Sequence, residues 1–188
     1  MSFTSWREFL RKTKNNQSPK FDKFSRANAR YQLAIGAKAL DIEGLSASTT
    51  DAYSAALRIT LAYSALEALE VAIGAKNQII VTNAEIANVF RDEKESKLRG
   101  GILEIAKTSQ HTNLYSNVQA FFAGNCDDLR PIIYTIRNLM CHGTFTANRL
   151  DLPQSKKRRK LFHDLAYETL QSVDLRFTLY VSRIREYK

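Results

Sequence analysis

The stretch from Asp51 to Ile73 places Tyr53, Leu57, Leu61, Leu66, Leu69 and Ile73 at three- to five-residue steps without a glycine or proline, and Gly74 closes it. A periodic run this long reads as a helix that must bury a stripe, and it makes a central element around which shorter helices gather. Arg58, Glu67 and Glu70 interrupt it, which argues against a membrane span. Seven glycines and three prolines in 188 residues are too few turn formers for an all-β chain. Hydrophobic residues at 44% and charged ones at 25% exclude the profile of a disordered chain. The expectation is an all-α, up-and-down bundle of about five to seven helices in one domain over residues 1–188, with residues 1–20 as a peripheral N-terminal helix.

Around the central helix the punctuation is readable. Ser5 and Glu8 in "SWRE" have capping-box spacing and predict a short first helix. Pro19 suits the first turn of a second helix and Gly44 its end. "QIIV" has strand character, but Thr82 and Glu85 repeat the capping-box spacing, so a turn followed by a helix is favoured. Gly100 and Gly101 predict a break or kink before "GILEIAK" resumes. "LYSNVQAFFAG" reads as a short helix ending at Gly124, and Asp127 or Asp128 as the cap of "LRPIIYTIRNLMCHG", with Pro131 in its first turn. Pro153 and "QSKKRRK" lead into a long closing helix.

Charge points toward phosphates or an acidic partner. Lys and Arg number 28 against 19 Asp and Glu, a net of +9. Residues 1–40 hold Arg7, Arg11, Lys12, Lys14, Lys20, Lys23, Arg26, Arg30 and Lys38 against only Glu8 and Asp22. A second run, Lys156, Lys157, Arg158, Arg159 and Lys160, stands at the positive end of the closing helix, where like charge is unfavourable unless a polyanion offsets it. This run is the candidate nucleic-acid-binding patch, and solvated surface charge is the plain alternative. Cys126 and Cys141 form no CxxC pair, and the N-terminal residues lack an apolar leader, so a reducing, cytoplasmic setting is expected.

The stretch "IRNLMCHGTF", Ile136 to Phe145, concentrates polar groups in an apolar run. At 100° per residue Arg137 shares a face with Cys141 and Asn138 with His142, while Arg137 and His142 stand about 140° apart. A left-handed Gly143 ending the helix would let His142 swing toward Arg137. Ile132, Ile136 and Leu139 keep an apolar face, leaving Arg137, Asn138 and His142 along the flank. An imidazole transfers a proton near neutral pH and a guanidinium holds a phosphate, a pairing suited to metal-free cleavage of RNA by its own 2′-hydroxyl. One histidine serves one proton transfer, and two copies in a symmetric dimer would supply base and acid.

"RNLMCH", with Asn after Arg and "G" after His, resembles the Arg-x4-His signature of HEPN domains, small all-α bundles in which the motif ends a late helix. The resemblance implies a metal-independent endoribonuclease that needs no cofactor and acts as a homodimer with a composite site. It implies Arg137 for phosphate contact, Asn138 for orientation and His142 for proton transfer. It also implies a role as toxin or stress and defence effector in a toxin-antitoxin type system, with RNA as substrate and an antitoxin or nucleotidyltransferase as partner. Other members of that family are non-catalytic, so an RNA-binding or protein-interaction module is the alternative reading.

Other residues carry less. His111 and His163 have no ligand-spaced partners and read as surface or helix-end residues, so no metal site is expected. Cys141 reads as a small buried packing residue. "TNAEIANVFRDEKE" resembles the first helix of a helix-turn-helix but lacks the following glycine turn, leaving a helical DNA-binding regulator as the third reading. Glu67 and Glu70 are expected to be paired, one of them lining the cleft.

Overall fold

The computed structural model describes residues 3–15, 21–37, 39–75, 78–109, 111–141 and 146–186. It is an all-α helical bundle: α1 Phe3–Asn15, α2 Phe21–Gly36, α3 Ala47–Ile73, α4 Ala84–Arg91, α5 Ser96–Thr108, α6 Leu114–Phe122, α7 Arg130–Cys141 and α8 Lys156–Glu186, with short 3-10 turns at Glu93–Glu95 and Ala147–Leu150. The described residues form eight helices, against the expected five to seven. The described residues include no strand, only an isolated bridge between Thr82 and Asp128. No helix among them is long and apolar enough to cross a membrane.

The central helix lies where its periodicity places it. Ser46 caps it, its side chain accepting from the Thr49 amide, and Gly74 ends it in the left-handed region at φ 74°. α3 packs against α2, α7 and α8. Its buried stripe consists largely of alanine: Ala52, Ala55, Ala56, Ala62 and Ala65 are inaccessible, with Ile59, Leu66 and Leu69. Small side chains let neighbouring helices approach α3 on several sides, whereas the expected Tyr53, Leu61 and Ile73 pack only at the core's margin.

Several local expectations are corrected. α1 starts at Phe3, before Ser5, so "SWRE" lies inside the helix rather than capping it. α2 ends at Gly36 rather than Gly44, since the Leu40 amide donates to Ser54 Oγ at 2.8 Å instead of to a helical carbonyl; Pro19 lies outside the described residues. The cap of α4 is Asn83, one residue past Thr82, accepting from the Ile86 amide. α5 runs unbroken through Gly100 and Gly101. The reason is packing: a Cβ on Gly101 would meet Leu150 Cδ2 at 2.6 Å, so the glycine admits the 3-10 turn.

The two sequence extremes meet. Trp6, 1% exposed, stacks on Phe177 of α8 with ring centroids 3.6 Å apart and donates its indole N–H to Asp174 at 3.3 Å. Tyr31 of α2 also stacks on Trp6, with centroids 5.6 Å apart, and burial, then Asp174 and Tyr167, push its hydroxyl up to about 12.

Candidate functional site

α7 is set by its first turn. Asp128 accepts from the amides of Arg130 and Val81 at 3.0 and 3.2 Å, tying the start of α7 to the segment before α4. Burial raises the Asp128 carboxyl despite these bonds. Pro131 falls in the first turn, as expected. Arg130 then crosses the core to Glu70 of α3, bonding both carboxylate oxygens at 2.7 and 3.2 Å and the Ile79 carbonyl at 2.8 Å. Glu70 also accepts from the Ile79 amide at 2.9 Å. This bidentate buried pair fixes α7 against α3 and determines which way its remaining face points.

Ile132, Ile136 and Leu139 are buried as the periodicity requires. Thr135 and Asn138 are buried too, so the arc covered by neighbours is wider than the expected stripe. Asn138, expected along the flank, therefore points inward, its carbonyl oxygen accepting from Arg137 Nη1 at 3.1 Å. Arg137 is half-buried, with its guanidinium 5.8 Å from the Tyr134 ring centroid and 3.8 Å from the Glu67 carboxylate of α3. Tyr134 in turn lies edge-on to Tyr63 and to His111, whose ring centroid is 5.0 Å away. His111 is exposed, as expected, and the fold sets its ring beside the same tyrosine that underlies Arg137. Cys141, expected to be buried, is exposed at the end of α7. His142 lies outside the described residues, as does Gly143.

Glu67 connects this face to an open cleft of about 240 Å³ lined by Lys23, Arg26 and Arg30 of α2 and by Glu67, Ala68 and Val71 of α3. Burial pushes the Glu67 carboxyl above its usual range, and the downward pull of Arg137 and Arg30 does not offset it. The signal for this cluster was present in the sequence as the spacing 23, 26, 30, one face of a helix, but charge counting along residues 1–40 did not separate it from its neighbours.

The run at 156–160 takes another part. Arg158, 8% exposed, pairs with Glu95 and Asp151. Arg159 pairs with Asp51 at 2.7 Å and donates to the Leu152 and Pro153 carbonyls. Lys157 lies 3.3 Å from Glu95 and Lys160 2.6 Å from Asp164. Lys156 is exposed. The unfavourable charge expected at this helix end is thus offset by carboxylates of the same chain. His163 meets Asp51 at 3.0 Å, so its partner is the start of α3 rather than the adjacent Asp164.

Compared with family models, curated proteins and solved structures, the chain has no match in any of the three.

Proposed function

We propose that this protein is an HEPN-like, metal-independent endoribonuclease in which Arg137 and His142, from each of two copies, form a composite cleft. The observation that carries the reading is the setting of Arg137: a half-exposed guanidinium near the end of α7, hydrogen-bonded to Asn138 and 3.8 Å from Glu67, a carboxylate that lines a cleft together with three further cations. Its ion pair with Glu67 is long at 3.8 Å, so a phosphate oxygen can take over part of that charge.

The chemistry follows from the groups. The 2′-oxygen of RNA attacks the adjacent phosphorus while its proton passes to one imidazole, Arg137 balances charge building on the phosphoryl oxygens, and the 5′-oxygen leaves with a proton from the second imidazole. The products are a 2′,3′-cyclic phosphate and a 5′-hydroxyl. Asn138 acts by holding Arg137. An activity of this kind suits the toxin or defence effector of a toxin-antitoxin type system, restrained by an antitoxin or a nucleotidyltransferase partner.

A second reading is supported by the same geometry. Asn138, Glu67 and Tyr134 already engage Arg137, which is how an arginine with a purely structural role would look in a non-catalytic RNA-binding or protein-interaction module of that fold. Labelled RNA incubated with the protein in EDTA separates the two. Wild type should cleave, while His142→Ala and Arg137→Ala, each shown to be folded by circular dichroism, should lose about 100-fold or more of that rate. Equal cleavage by His142→Ala, or none by wild type, moves the binding module to the front.

A further inference from the structure

The positive charge of this molecule divides into two populations. On α8, Lys157, Arg158, Arg159 and Lys160 are each matched to a carboxylate of the chain. On α2, Lys23, Arg26 and Arg30 are exposed and, among the described residues, none lies in an ion pair. Arg26 donates to the Asp22 carbonyl at 3.3 Å and Arg30 to the Ser64 carbonyl at 3.4 Å. Those acceptors are neutral, so the bonds orient the guanidinium groups without cancelling their charge.

We propose that the cleft between α2 and α3 is the track for the phosphate backbone of a single-stranded nucleic acid, gripped by Lys23, Arg26 and Arg30 and delivered to Arg137. The inference names the substrate-holding surface of the site proposed above and rests on that reading. Three cations at i, i+3 and i+7 form a ridge along one helix face, which matches the linear charge of a phosphodiester chain. Ala68 and Val71 give the cleft an apolar floor, and Val71 is 58% exposed. Beyond Glu67, Arg137 lies against the Tyr134 ring and the exposed His111 ring packs edge-on to that same tyrosine, offering an aromatic surface for unpaired bases. At about 240 Å³ the open cleft seats only a short part of a strand, and the rest follows the ridge of α2. Among the described residues Glu67 is the one acidic group that lines the cleft; it repels the ligand, and in the ligand's absence it pairs with Arg137 and attracts Arg30 through space without contact.

The test uses a labelled oligodeoxythymidine of about 20 nucleotides, longer than the roughly 4–16 such grooves cover, and lacking the 2′-hydroxyl so that binding is read apart from cleavage. Fluorescence anisotropy across a salt series is compared for wild type, Lys23→Ala/Arg26→Ala/Arg30→Ala and Glu67→Gln. The triple variant should bind at least about tenfold more weakly, with a salt slope shallower by about 2, as expected for three lost phosphate contacts. Glu67→Gln should bind severalfold more tightly. Single Lys23→Ala, at an exposed position, should weaken binding in the same direction and guards against a misfolded triple variant. Wild type that does not bind, a triple variant that binds like wild type, loss caused instead by Lys156→Ala/Lys160→Ala, or equal competition by polyglutamate or by duplex DNA each overturns the proposal. Failure of the catalytic reading looks different: RNA stays intact in EDTA while the α2 variants still lose binding.

Discussion

Gly101 shows how a single atom decides a position. Gly100 and Gly101 are adjacent in one helix, yet a Cβ at Gly100 meets open space while one at Gly101 collides with Leu150, itself completely buried. Gly100→Ala should therefore stabilise the protein by up to about 1 kcal/mol through helix propensity and a less flexible unfolded chain. Gly101→Ala should destabilise it by about 1–3 kcal/mol because the core must shift. Urea denaturation of the two variants checks both signs. Their difference was illegible in the sequence, where both read as breakers, because the reason for the second glycine lies 49 positions downstream. Asn138 is a similar case: helical geometry fixed its angle, but only the neighbours around α7 decide that this angle is covered.

The helices divide between those whose role periodicity discloses and those whose role depends on partners. α3 declared itself through an unbroken run and a terminal glycine, and its length and end were readable to within a few residues. Its core did not declare itself, because alanine carries little apolar signal and marks close helix approach only after the neighbours are known. α8 was equally visible, but its basic first turn was assigned to an external polyanion when Glu95, Asp151, Asp51 and Asp164 supply the counter-charge. One of these ties carries a pH signature. Burial alone would raise Asp51, but hydrogen bonds from His163 and Arg159 outweigh it and hold the carboxyl below its usual 3.8. A carboxyl depressed by folding stabilises the native state above its unfolded value, and the contribution disappears as pH falls through the folded value. Asp51→Asn should thus cost about 1 kcal/mol or less at pH 7, given how exposed the pair is, and progressively less at an acid pH below the usual 3.8. Thermal melts of both proteins at the two pH values test this; a constant difference would locate the cost elsewhere.

At the scale of the whole molecule, the buried residues form one cluster that reaches from Trp6 to Phe177. α1, expected as a peripheral helix, contributes the largest side chain of that cluster. Removing its platform with Phe177→Ala should cost about 3–5 kcal/mol. Because Trp6 is the only tryptophan in the chain, the same substitution should shift its fluorescence to the red before the bulk helical signal melts. Loss of helicity and fluorescence together would instead mean that α1 and the remaining bundle unfold as one unit. The candidate motif is visible from a few residues around Arg137; the cations of α2 come from more than 100 positions earlier, and only the packing of α2 on α3 sets them around the cleft that Glu67, Arg137's ion-pair partner, also lines.

The indole of Trp6 finds Asp174 across 168 positions of sequence. During synthesis at roughly 5–20 residues per second, the ribosome therefore releases α1 on the order of ten seconds or more before its seat on α8 exists. Until then its aromatic face meets α2, through Phe9 and Phe24 and through Trp6 and Tyr31. A nascent chain stalled short of α8 thus presents the aromatic face of α1 to holdase chaperones and proteases, and closing this joint ends that vulnerable interval.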